Sequence, residues 1–482
     1  MPKLALPAGA LRRPLAEGLS KAGLEISGYA EGSRSYRLPS GNGEGVIARV
    51  FREKDIPVQI GLGNYDLGIC SLSSVLELTS RHAQPQIISL GKFDLPPRTL
   101  LVAAAEGSFQ TLGDAGALEG VRIASEYPNL SERFALAARF RAPRVIAVAG
   151  SAGAYPPEDA ELAVLSVTNE GEISGQGMKP LHELLEDTVH LVANQKSMLS
   201  MDISALLGRL AGLLGASPPA ILKLPAPVAG LRATEPSQDG RRPLRPLRLA
   251  LPDGHQHPHV VAALNAAGLD FEGYTNTQIP AQRPSSPLPG LEVKSIRPQD
   301  MPQMVARGSF DIAITGRDCI NEHIRQFPSS PIEVALDLGR SPVDICAAVA
   351  ADLPADTLGG VLAVWRGQAK QLIRIASEFP NIADDFARAH HFWRYQVIPT
   401  AGASEGFVPE DADILIESSE TGTTLAENDL KPIALLFRST TCVIIRRDDQ
   451  RPQKNVEVLR LLLSHLKKAV VQRPSDTIGA GN

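Results

Sequence analysis

The feature that most constrains this chain is that it is written twice. Leu4-Ala-Leu-Pro7 returns as Leu249-Ala-Leu-Pro252, Ala22-Gly-Leu24 as Ala267-Gly-Leu269, and Arg52-x-x-Asp55-x-Pro57 as Arg297-x-x-Asp300-x-Pro302, each at an offset of 245. Further along, Ile123-Ala-Ser-Glu-Tyr-Pro-Asn129 returns as Ile375-Ala-Ser-Glu-Phe-Pro-Asn381 and Pro157-Glu-Asp-Ala160 as Pro409-Glu-Asp-Ala412, now at an offset of 252. Seven residues were therefore gained in the second copy, or lost from the first, between these blocks. So constant a register over many short matches means one structural unit used in tandem. We place the first copy at 1–216, a Pro-rich linker at 217–246, the second copy at 247–471 and a loose tail at 472–482.

Each copy alternates short apolar strands with amphipathic helices. In the first, strands are expected at 3–7, 46–51 and 98–105, and helices at 11–22 and 55–62, the latter opened by Asp55 as cap with Pro57 in its first turn. Gly120–Ala124 and Val145–Val148 read as two further strands around a helix starting at Ser131; 199–215 reads as a helix, and the second copy closes with a helix from Asn455 to Val470. This is an α/β pattern with mainly parallel sheets. A net charge of −5 gives no reason to expect nucleic acid or an anionic membrane as partner. Nor does any stretch reach the length of a membrane span, so a cytoplasmic protein is expected. Cys70, Cys319, Cys346 and Cys442 are scattered without metal-ligand or redox spacing and read as buried, reduced thiols.

One stretch carries chemistry. In Asp413–Pro432, Ile414, Leu415 and Ile416 form a short strand, Thr421-Gly422-Thr423-Thr424 a turn, and Leu425 can begin a helix. Such a turn presents unpaired N–H groups; Gly422 permits close approach of an anion and the threonine hydroxyls add donors. An ordinary strand–turn–helix connection capped by Thr has the same composition.

An acidic residue, Thr-Gly-x-Thr-Leu and then Asn428-x-Leu430 resembles the phosphoribosyl pyrophosphate loop of ATP phosphoribosyltransferases, which open histidine biosynthesis. The resemblance extends over about 3–198 and 247–447. It implies two tandem copies of a two-lobed, periplasmic-binding-protein-like (type II) unit, with ligand in the cleft between lobes. It also implies transfer of a phosphoribosyl group to N1 of ATP with release of pyrophosphate, and magnesium carried mainly by the substrate's phosphates. By the same resemblance Glu420, Thr421, Gly422, Thr423, Thr424 and Leu425 hold the phosphoribosyl group, Glu417 positions the ribose, and Glu405 and Asp318 contact substrate. Arg297 suits the leaving pyrophosphate, its alternative being an interlobe salt bridge. Arg34, in Ser33-Arg34-Ser-Tyr36-Arg37, is similar to the family's arginine that enters a neighbouring subunit's site.

The copies are unequal. Lys179-Pro180 matches Lys431-Pro432, which sets Asn169-Glu170-Gly171-Glu172 against Thr421-Gly422-Thr423-Thr424, and Leu165 against Glu417. Two carboxylates beside a pyrophosphate are unfavourable by several kcal/mol in a poorly solvated cleft, roughly 332/(εr) with ε of about 20. The second copy, in turn, has no arginine where the first has Arg34. A fused internal pseudo-dimer with one working site follows, with room for further homo-oligomerisation.

Both copies depart from the family's Leu-Pro-Lys-Gly-Arg after the first strand, having Leu6-Pro-Ala8-Gly9-Ala10 and Leu251-Pro-Asp253-Gly254-His255. That departure keeps two other classes in view, a non-catalytic regulatory subunit and a small-anion binding module. His255, His257 and His259, interrupted by Pro258, read as a solvated loop rather than a metal site.

Overall fold

In the computed structural model, which describes residues 1–38, 46–82, 86–215, 222–228, 245–447 and 452–471, the chain forms four lobes, each built on one sheet. Lobe 1 of the first copy orders its strands 214–215, 87–93, 189–194, 67–71, 3–7 and 47–51, and lobe 2 orders 144–147, 122–125, 162–167, 98–105 and 178–187. The second copy repeats these orders in 332–337, 441–446, 312–316, 247–252, 291–296 and in 395–399, 373–377, 414–419, 343–350, 430–439. The sheets are mixed. Three neighbouring strands in each run parallel, and the strand that returns from, or departs to, the other lobe pairs antiparallel beside them. The parallel strands are near-continuous apolar runs because both faces are covered, as in Leu247–Pro252, where every residue is buried.

The repeat extends to detail. Tyr29 Oη donates to Pro7 O at 2.9 Å and Tyr274 Oη to Pro252 O at 2.6 Å. Glu77 accepts from Asn129 N and Leu130 N, and Glu322 from Asn381 N and Ile382 N, tying the lobes of each copy together at a helix N-terminus. At one pair of positions the residues are exchanged: Ser73 donates to Asp187 in the first copy, while Ser439 donates to Asp318 in the second.

The copies are joined head to tail. Lobe 1 of the first shares an apolar core with lobe 2 of the second, in which Ala5, Phe51, Ile56 and Tyr65 pack with Cys346, Phe407, Val408 and Leu425. The reciprocal core joins Tyr155, Ala163 and Met178 to Ala250, Ile296, Met301 and Phe310. Polar contacts repeat across this pseudo-twofold: Asp55 accepts from Ala401 N at 3.0 Å and Asp300 from Ala149 N at 2.9 Å. Arg49 pairs with Glu410 at 2.6 Å, and Lys294 with Glu158 at 2.8 Å. Asp55 therefore begins its helix without capping it; its carboxylate is committed to the other copy.

Several boundaries move. The helix expected over 199–215 is two short helices, Gln195–Ser200 and Ser204–Leu210, followed by a 3₁₀ turn and an edge strand. Met201 and Asp202 separate the two helices in non-helical backbone. The closing helix spans Gln453–Lys467. Of the linker, 222–228 lies against lobe 2 of the first copy: Lys223 N donates to Leu184 O, Val228 N to Ala138 O, and Leu222 and Val228 join its core. A Cβ on Gly116 would stand 3.1 Å from Val228. The helix there, Leu112–Gly116, is five residues long, whereas its counterpart Leu358–Gly367 has ten and covers the same face with Val361, Leu362 and Trp365. The seven-residue difference thus falls at this helix, and the linker fills the gap. The tail at 472–482 lies outside the described residues. All four cysteines are buried and free, and no helix among the described residues is long and apolar enough to cross a membrane.

Candidate active site

The turn after strand Ile414–Ser419 takes the conformation its sequence demands. Gly422 has φ of +75°, open space on its Cβ side, and sits immediately before the helix Thr423–Glu427. The helix starts two residues before Leu425, whose side chain is buried in the inter-copy core. Ser419 Oγ accepts from Gly422 N at 3.1 Å, the Thr421 and Thr423 hydroxyls lie 2.8 Å apart, and Glu420, Thr421 and Thr423 face solvent.

Asn428 fixes the far end of this loop. Its Oδ1 accepts from Tyr36 N at 2.7 Å and Arg37 N at 3.1 Å, and its Nδ2 donates to Arg34 O at 3.0 Å and Thr424 O at 2.8 Å. One fully buried amide thereby joins the second copy's loop to the first copy's Arg34 segment. That segment is held from behind by Arg12, a buried guanidinium donating to Ser33 O, Ser35 O and Gly28 O. Arg34 is exposed, and with Ser33, Ser35 and Glu427 it lines a cavity of about 390 Å³.

Below the turn lie three carboxylates from the carboxyl ends of lobe 2 strands, where open α/β sheets bind ligands. Glu417 belongs to strand 414–419, Glu378 follows strand 373–377, and Glu405 opens a 3₁₀ turn after strand 395–399. Burial pushes Glu417 well above the usual carboxylate range, reinforced by Glu378 and Glu405; Ser418 N, donating at 2.8 Å, opposes it. Burial also raises Glu405 and Glu378, and Arg52 of the first copy counters both. A Cβ on Gly402, whose φ is +113°, would stand 2.5 Å from Glu378 Oε1 and 2.8 Å from Arg52 Nε, so only glycine fits between them. Asp318 adds negative charge near Glu378 and is itself held by Ser439 Oγ at 2.7 Å. Burial of three neighbouring acids, two of them facing one guanidinium, disfavours their simultaneous ionisation, a perturbation that marks functional clefts.

Thus the residues read from sequence come together at one junction, with one exception. Arg297 stands at the reciprocal junction, paired with Asp253 at 3.2 Å against Gly150 and Gly254. The arginine that faces Glu378 and Glu405 is its counterpart, Arg52. Sequence reading missed Arg52 and Glu378 in this role. Both sit in motifs present in each copy, and choosing between copies requires knowing that lobe 1 of one faces lobe 2 of the other. His255 and His259 have ring centres 5.8 Å apart, and His257 bonds Tyr274 O at 3.0 Å. Among the described residues no three His, Cys, Asp or Glu side chains are disposed to hold a metal ion.

Comparison with known proteins gives the family. The family model for HisG, ATP phosphoribosyltransferase, matches twice, over residues 52–212 and 297–468. A curated ATP phosphoribosyltransferase of Chelativorans sp. is 30% identical over 192 residues, 38% of this chain and 80% of that protein. One from Moorella thermoacetica is 30% identical over 234 residues, 47% of this chain and 94% of that protein. Among solved structures, the ATP phosphoribosyl transferase (HisG:HisZ) complex from Thermotoga maritima is 21% identical, covering 46% of this chain and 98% of that one with a TM-score of 0.37. Matched by that family model in both halves, the chain belongs to the ATP phosphoribosyltransferase family.

Proposed function

We propose that this chain is a cytosolic enzyme that transfers the phosphoribosyl group of phosphoribosyl pyrophosphate to N1 of ATP, releasing pyrophosphate, at a single site in the second copy completed by the first. The observation that carries this reading is the asymmetry of the junctions. The Gly422 turn, the Glu378, Glu405 and Glu417 cluster and Arg52 meet at one junction, whereas the other has Glu170, Gly153 and Leu165 at the positions of Gly422, Glu405 and Glu417.

The chemistry needs little beyond positioning and charge. The phosphoribosyl phosphate is held by the N–H groups and hydroxyls of 421–425, and Glu417 orients the ribose hydroxyls. Glu405 and Glu378, which Arg52 holds toward the ionised form against the cost of burial, supply negative potential as the sugar carbon becomes cationic. Arg52, with Arg34 at the cleft edge, offsets charge that grows on the departing pyrophosphate. Magnesium, which the substrate's own phosphates would carry, would supply further neutralisation of the same charge.

The test is pyrophosphate release by the purified chain alone with ATP, phosphoribosyl pyrophosphate and magnesium. Release requiring both substrates, and lost in Gly422→Glu, is the expected result. Binding of either substrate without release would instead identify a regulatory or binding subunit.

A further inference from the structure

The junction that lost the phosphate loop has not closed. Where lobe 2 of the first copy meets lobe 1 of the second, two cavities of about 300 and about 850 Å³ share Ser151, Gln176 and Gln282 in their walls. Volumes of this order suit small ligands.

The charged groups around them are already engaged. Arg297 pairs with Asp253, which also accepts from Ser151 Oγ. Arg98 donates to Ser166 O at 3.0 Å, Glu126 pairs with Lys54 at 3.4 Å, and Glu172 accepts from Thr168 N at 3.0 Å. What is left is amide. Gln176 occupies the position of Asn428 but makes none of Asn428's contacts to the opposing segment, and Gln282 occupies that of Arg37. The two side chains reach toward each other over Gly153, where a Cβ would stand 2.6 Å from Gln176 Oε1 and 3.1 Å from Gln282 Nε2. Both Oε1 atoms are buried without a hydrogen-bond partner, as is Ser295 Oγ on the same wall. Buried acceptors left unpaired carry an uncompensated desolvation cost, which a ligand supplying N–H donors recovers.

We propose that the first copy's cleft is a second small-molecule site, selective for an uncharged nitrogen heterocycle that presents N–H donors beside an acceptor, the nucleobase or nucleoside class. Side-chain amides read such an edge in pairs, and the ring of Tyr127 lines the smaller cavity. A phosphate ester is disfavoured because Arg297 and Arg283 are paired with Asp253 and Glu158, Arg98 already donates to Ser166 O, and the carboxylates of Glu126 and Glu172 line the smaller cavity.

The test is calorimetric titration of adenosine into the full chain carrying Gly422→Glu, with pyrophosphate as counter-probe. Saturable binding of one adenosine is expected, weakened at least about tenfold by Gln176→Ala with Gln282→Ala and abolished by Gly153→Leu, with pyrophosphate silent. Pyrophosphate release by the otherwise native chain should be unchanged by the paired Gln substitutions. No saturable binding up to about 5 mM adenosine would overturn the proposal, as would binding that both Gln176→Ala with Gln282→Ala and Gly153→Leu leave intact. Pyrophosphate binding that disappears with Arg297→Ala would overturn it in favour of a surviving anion site.

Discussion

The two junctions are built from equivalent backbones and differ in what each leaves unsatisfied. At the junction of the second copy's lobe 2, one asparagine uses its amide fully, an arginine faces two of three clustered carboxylates, and acidic groups are in surplus. At the other, the arginine is quenched by Asp253, the asparagine has become a glutamine one methylene too long for the same four bonds, and the surplus is neutral hydrogen-bonding capacity. Fusion permits this divergence. In a symmetric homodimer every substitution appears at both junctions; here Gly422 and Glu170 coexist.

The sharpest way to break the comparison is Gly422→Glu, which gives the working loop the residue of the idle one. It should reduce pyrophosphate release at least about 100-fold through lost close approach and added like charge. Next is the arginine pair. Arg52→Ala should lower turnover about 100-fold, while Arg297→Ala stays within about threefold; equal losses from both would mean that each junction contributes to the same reaction. Asn428→Gln should raise KM for phosphoribosyl pyrophosphate about tenfold with a smaller effect on kcat, because it unfastens the loop from residues 34–37 without touching the carboxylates.

The smallest effect separates structural likeness from functional difference. Asp55 and Asp300 are both raised to about 7, chiefly by burial. A carboxylate whose folded pKa exceeds its unfolded value contributes stability below about pH 4 that is lost as pH rises toward 7. Asp55→Asn and Asp300→Asn should each keep an acceptor for the opposing N–H and flatten the fall in Tm between these limits. Both contacts bridge the copies, but Asp300 also accepts from Tyr155 Oη at 3.4 Å, whereas the residue equivalent to Tyr155 on the Asp55 side is Phe407, so the two variants should shift Tm in the same direction; opposite shifts would show that the junctions differ in rigidity as well as chemistry.

Much of this was legible beforehand. The offsets of 245 and 252 gave two copies, the alternation of strands and helices gave the α/β class, and Thr-Gly-Thr-Thr against Asn-Glu-Gly-Glu marked the altered loop. Arg297 was misplaced because Arg52 carries the same local signature, and a local signature does not encode which lobe faces which. Asp55 looked like a helix cap for a similar reason: Asp before Ile-Pro satisfies the capping rule, but its carboxylate has a partner 346 residues away. Glu378 was hidden inside a repeated motif whose other copy, at Glu126, ends in a surface ion pair with Lys54.

The segment 222–228 has a practical meaning for anyone who would separate the halves. It is a tether by position but a piece of the first half by packing, since Val228 lies where the five-residue helix leaves Gly113 and Gly116 uncovered. Cutting at residue 216 would strip that plug and uncover the apolar surface around Phe140 and Gly116, a sticky face on a fragment already deprived of its partner. The natural cleavage point lies after 228, and a gene that split upstream of it would yield a first half prone to aggregate rather than to find its mate.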